Sequence, residues 1–120
     1  MRLEREESAM RDFTERIASL LRNGNQKQAR EEIASAMAAY TDAPEPHNLL
    51  GIYYEQEGDL QAARKHYRAA YALDPTYKPC CRNLERITCF DFSTKITDAD
   101  FGDGVEQTED SFKRKKDMLR

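Results

Sequence analysis

Between Pro44 and Tyr77 the chain reads PEPHNLLGIYYEQEGDLQAARKHYRAAYALDPTY, and the placement of its small and aromatic residues admits few folds. Leu50, Gly51, Tyr54, Gly58, Ala63, Tyr67, Ala70 and Pro75 fall at offsets that suit two short helices packed antiparallel. Gly51 on the first helix allows the second to approach closely, and Ala63 and Ala70 on the second are small for the same reason. Tyr54 and Tyr67 fill the gap on either side of that contact. Gly58 supplies the left-handed residue that ends a helix, and Asp59 is a good N-cap for the next. Leu73-Asp74-Pro75 closes the second helix, because proline cannot continue it and disfavours helical geometry before it.

Leu50, Gly51, Tyr54, Ala63, Tyr67 and Pro75 follow the tetratricopeptide pattern W-x2-L-G-x2-Y, then A-x3-F, then P, and Gly58 and Ala70 fall at the spacing of the same repeat. The segment resembles that family over its whole length, departing at His47, where tryptophan or another large apolar residue is usual. The resemblance implies a helix-turn-helix unit used as a protein-binding scaffold and leaves the partner unnamed.

A weaker copy precedes it, from Met10 to Ala43. Gly24 aligns with Gly58, Asn25 with Asp59, Ala29 with Ala63, Ile33 with Tyr67, Ala36 with Ala70 and Phe13 with His47. The copy departs at Arg16 and Ile17, where Leu-Gly is expected, and at Thr41, where proline is expected. Met10, Phe13, Ile17, Leu20 and Leu21 nevertheless form one apolar stripe, and Ala29, Ile33, Ala36, Met37 and Tyr40 another. After the strong repeat, Lys78 to Thr88 reads as a closing helix, with Cys80, Leu84 and Ile87 on one face and Arg82, Glu85 and Arg86 on the other.

The expectation is an all-α fold, with helix pairs stacked as a short right-handed α-solenoid of five helices over about 3–22, 26–40, 45–57, 60–73 and 78–88. Residues 1–89 form the helical domain, comprising a degenerate repeat at 10–43, the strong repeat at 44–77 and the closing helix at 78–88. Residues 90–120 read as a disordered tail. Thr97 to Ser111 holds acids, two glycines and little apolar periodicity, followed by Lys113-Arg114-Lys115-Lys116. Phe90, Phe92 and Phe101 are the exceptions that could dock on something.

A net charge of −3 over 120 residues offers no general pull toward nucleic acid or anionic membrane. No apolar run approaches the ~20 residues of a membrane span, and no signal-peptide core is visible. Three cysteines, two of them adjacent, do not make a disulfide framework, so a cytoplasmic location is expected.

Cys80, Cys81 and Cys89 lack the short chelating pair of a zinc site, and Cys80 on an apolar stripe reads as a small buried hydrophobe. His47 reads as a packing residue, and His66 as a solvated one. Asp98, Asp100 and Glu109 echo a calcium loop, but Gly102 and Asp103 stand in reversed order for it. Asp100-Phe101-Gly102 echoes a kinase motif with none of its companions. No catalytic set, metal site or cofactor fingerprint is present, so the expected function is a non-catalytic protein–protein interaction module. The competing reading is a small regulator acting through its cysteines, by metal binding or thiol oxidation.

The family geometry implies that the first helix of each pair lines a concave groove. The implied groove residues are Arg11, Thr14, Ala18 and Arg22, then Glu45, Asn48, Ile52, Glu55 and Gln56, with Arg82 and Arg86 from the closing helix. Thr14 and Ala18 stand where members that grip chaperone tails carry Lys and Asn, so a peptide of mixed polarity is expected instead. So few repeats make a marginal core. A weak homodimer through Met10, Phe13 and Ile17 is favoured as the remedy over fold-back of Phe90, Phe92 and Phe101.

Overall fold

The structure, a computed structural model, describes residues 2–88 and 98–104. It is all-α. Helices α1 (Glu4–Arg22), α2 (Gln26–Ala39), α3 (Pro44–Gln56), α4 (Leu60–Leu73) and α5 (Lys78–Thr88) follow in order, and the described residues contain no strand. Each helix packs on the next, and α1 also packs on α3. Two helix-turn-helix pairs and a single closing helix result.

The two intra-pair turns are built alike. After α3, the Asp59 amide donates to the Tyr54 carbonyl (2.8 Å) and the Gly58 amide to that of Glu55 (3.0 Å), with Gly58 at φ +86°. After α1, the Asn25 amide donates to Leu20 (2.8 Å) and the Gly24 amide to Leu21 (3.3 Å). Both are Schellman closures, in which a left-handed residue lets two amides satisfy the last helical carbonyls. They differ in what comes next. The Asp59 carboxylate caps α4 by accepting from the Ala62 amide at 3.1 Å, whereas Asn25 makes no side-chain cap.

Inside the α3/α4 pair the contact is tighter and differently partnered than the sequence suggests. A methyl group added at Gly51 would lie 2.6 Å from Cδ1 of Tyr67, so the glycine makes room for an aromatic ring. Ala63 is fully buried, but it is the ring of Tyr67 that occupies the space over Gly51. Tyr54 is half-buried and stacks on His66 with ring centroids 5.4 Å apart, and His66 stacks on His47 at 5.9 Å. His66, expected in solvent, is thus the middle of a three-ring stack.

The apolar stripe of α1 is consumed within the chain. Met10 and Ile17 are 1% and 0% exposed, so the surface expected to pair with a second copy is already covered, leaving Phe13 partly buried at the margin of the core. Part of that cover comes from an unexpected quarter. Ala99 and Phe101, 2% and 4% exposed, join a single core cluster with Ile17, Ala18, Leu21, Leu49 and Ile52. Phe90 and Phe92, expected to fold back with Phe101, lie outside the described residues.

Candidate functional site

Residues 98–104 lie across the face shared by α1, α3 and α5, the first helices of the two pairs and the closing helix. Polar contacts reach the segment from all three: Arg22 of α1, Asn48 of α3, and Arg82 and Asn83 of α5.

At the centre sits a pair of buried asparagines. The Asn83 side chain engages both backbone groups of Asp100: Nδ2 donates to the carbonyl at 2.8 Å, and Oδ1 accepts from the amide at 2.7 Å. Asn48 Nδ2 donates to the same carbonyl at 3.0 Å, and Asn48 Oδ1 accepts from Asn83 Nδ2 at 2.8 Å. The two side chains are 0% and 1% exposed. A primary amide presents a donor and an acceptor side by side, as a strand edge does, so it can hold a backbone without reading its side chains.

Charged groups flank this clamp. The Arg22 guanidinium carbon lies 4.2 Å above the centroid of the Phe101 ring, a cation–π contact, and the same side chain pairs with Asp103. Arg82 pairs with the Asp100 carboxylate at 2.8 Å. Gly102 adopts φ +80°, and Tyr77 abuts the place a side chain would take, so only glycine fits there. Beside it opens a cavity of about 360 Å³ lined by Arg11, Thr14, Glu45, Tyr77 and Gly102 among others. Burial pushes the Tyr77 hydroxyl well above the ordinary tyrosine range, with the charges of Glu45 and Asp100 adding to it.

Below the clamp, Glu55 and Arg86 form a two-pronged ion pair at 2.6 and 2.7 Å, their side chains 5% and 9% exposed. The Tyr67 hydroxyl donates to Glu55 at 2.6 Å, and Arg86 also donates to Asn83 Oδ1 at 3.4 Å. Burial works against the Arg86 charge, but its bonds to Glu55, with the charges of Glu55, Tyr67 and Asp98, together hold the guanidinium above its usual pKa. Burial, reinforced by Glu55, raises that of Tyr67. This network supports the clamp from the core side.

The eleven residues implied for the groove therefore divide. Asn48, Arg22 and Arg82 contact the segment directly, and Ala18 and Ile52 share its apolar cluster. Thr14 is buried and Arg11 exposed beside the Gly102 cavity. Glu45 pairs with Arg2 at 2.7 Å. Gln56 instead ties α3 to the first turn through the Leu21 carbonyl (3.3 Å) and Gln26 (2.8 Å). Glu55 and Arg86 hold each other, and Arg86 also feels the charge of Asp98 in the segment. Asn83 was not among the implied residues, although a signal was present: it is a polar residue set between Cys80 and Leu84 on the apolar side of α5.

Docking is held by a narrow margin. Burying a phenylalanine contributes about 1.5–3 kcal/mol, three clamp hydrogen bonds about 1 kcal/mol each, and the two ion pairs up to about 1 kcal/mol each. Ordering seven residues costs at least about 7 kcal/mol of backbone entropy.

The family comparison speaks to the centre of this architecture. A model described as Tetratricopeptide repeat matches residues 44–77, which span α3 and α4. This segment is a tetratricopeptide repeat. Such repeats are in general non-catalytic modules of protein–protein interaction. No solved structure matches the chain significantly, and no described helix is long and apolar enough to cross a membrane.

Proposed function

We propose that the protein is a non-catalytic adaptor of cytoplasmic type that binds an extended peptide of a partner protein on the face formed by α1, α3 and α5. The observation that carries this reading is the Asn48–Asn83 clamp on the Asp100 backbone. A pair of side-chain amides gripping main-chain groups is a device for holding extended chain of many sequences. The segment from 10 to 43 acts as a second, degenerate repeat beside the matched one. Its support is the pair of Schellman turns, whose left-handed glycines Gly24 and Gly58 are a repeat length apart. Thiol chemistry is a weaker reading: Cys80 is fully buried, and burial, with Cys81 beside it, pushes the thiol up to about 12, where little thiolate is present at neutral pH.

Selection of a displayed random-peptide library on the full chain tests the proposal. Enriched peptides whose capture is lost on the Asn83→Ala chain are expected. Enrichment that ignores this substitution, or no enrichment on either the parent or a chain whose residues 98–104 are released, would overturn it.

A further inference from the structure

The groove is filled by the chain itself, and the filling has a definite chemistry. Ala99 and Phe101 are its apolar anchors, Asp100 and Asp103 meet Arg82 and Arg22, and Gly102 passes Tyr77 where no side chain fits. Each of these is a requirement of residues 2–88, so it applies to any chain lying in the same place. We infer that the groove recognises an extended acidic segment of a partner protein in which a small residue, an acid, an aromatic residue, glycine and a second acid follow in order, and that residues 98–104 are an internal copy of that ligand which the partner must displace.

Three observations converge on this. The clamp binds backbone, so a separate peptide can make the same three hydrogen bonds. The arginines face outward from α1 and α5 toward the acids, so the charge preference belongs to the domain and not to the tail alone. The tether from Thr88 to Asp98 is only nine residues, and a short linker sets an effective concentration on the order of millimolar. A free peptide therefore competes against a weak contact made strong by proximity. Loosening the internal copy raises the apparent affinity for an external one, because apparent affinity scales with the fraction of open groove.

The inference rests on the adaptor reading, and the test separates the two. A labelled peptide of sequence DADFGDG is titrated into the full chain and into two full-length variants that release the segment, Phe101→Ala and Gly102→Val, with helical content checked by circular dichroism. The Gly102→Val change meets Tyr77 and Pro79, at the turn into α5 and outside the apolar core cluster, so it remains informative if Phe101→Ala perturbs the core. At least a tenfold gain in affinity over the parent is expected in both variants, with loss of binding when alanine replaces the peptide's phenylalanine or lysines its acids. Equal affinity in parent and variants overturns the inference. If the released chains instead select Asn83-dependent library peptides of another chemistry, the inference fails and the adaptor reading stands. If no released chain selects any Asn83-dependent peptide, both fail. Sedimentation that finds the parent dimeric and the Phe101→Ala chain monomeric assigns the segment to a second copy and overturns the internal arrangement.

Discussion

The side-chain amide of Asn83 pairs with the backbone of Asp100 through both of its polar atoms, at 2.8 and 2.7 Å, from a position only 1% exposed. Asn48 meets the same carbonyl with one donor. Asn83→Ala should therefore cost more than Asn48→Ala, because it also strands the Asp100 amide and the Oδ1 acceptor of Asn48. A loss of about 1–3 kcal/mol is expected for Asn83→Ala, read by thermal unfolding. Equal melting temperatures for the two variants would contradict the asymmetry.

Gly51 faces the ring of Tyr67, with no room for a methyl group. Gly51→Ala should lower stability by about 1–3 kcal/mol through overpacking, despite alanine's better helix propensity. Ala63→Leu should cost a similar amount, since Ala63 is fully buried. A raised melting temperature for Gly51→Ala would mean that α3 and α4 pack with a wider gap.

Glu55 and Arg86 are a buried pair, and the two charges depend on each other. Glu55→Ala leaves the guanidinium uncompensated and should cost about 3–5 kcal/mol. The double variant Glu55→Leu with Arg86→Met should cost less than either single truncation. Urea denaturation of the set gives the coupling, and strictly additive losses would count against the pair. Arg86→Glu is expected to disrupt folding as well as binding, whereas Arg82→Glu, on an exposed side chain, should spare the helices.

The stack of His47, His66 and Tyr54 carries a pH dependence. Burial lowers the pKa of His47, and burial together with the charges of His47 and Lys65 lowers that of His66, both from an ordinary value of 6.5. The unfolded chain then binds protons more readily than the folded one, so the stability is full above about 6.5 and declines as pH falls below it. Melting temperatures between pH 7.5 and 5.5 should show this decline, and His47→Phe should flatten it. A melting temperature that rises on acidification through this window would have the wrong sign.

Much of the fold could be read from particular residues. Gly24, Gly58 and Asp59 marked the turns, and the expected helix limits fall within one residue of those observed. The partner of Gly51 was less legible, because spacing locates a small residue without saying which neighbour fills the space above it. The Asn48–Asn83 contact joins residues 35 positions apart on different helices, so a polar residue on the apolar side of α5 could be noticed without its partner being visible. Hardest to foresee was the docking of residues 98–104. Their acids and glycines look like a segment that buries little. Two apolar side chains suffice only because Asn48 and Asn83 satisfy the backbone between them.

Occupation of the groove by the chain's own segment is tested most directly at one atom, the amide hydrogen of Asp100. Its exchange with solvent, followed residue by residue in a labelled full-length sample, should be slowed well beyond the rate of an unstructured peptide. That protection should vanish in Asn83→Ala while the α3 and α4 amides stay protected. Exchange of the Asp100 amide at the unstructured rate in the parent chain would contradict the account.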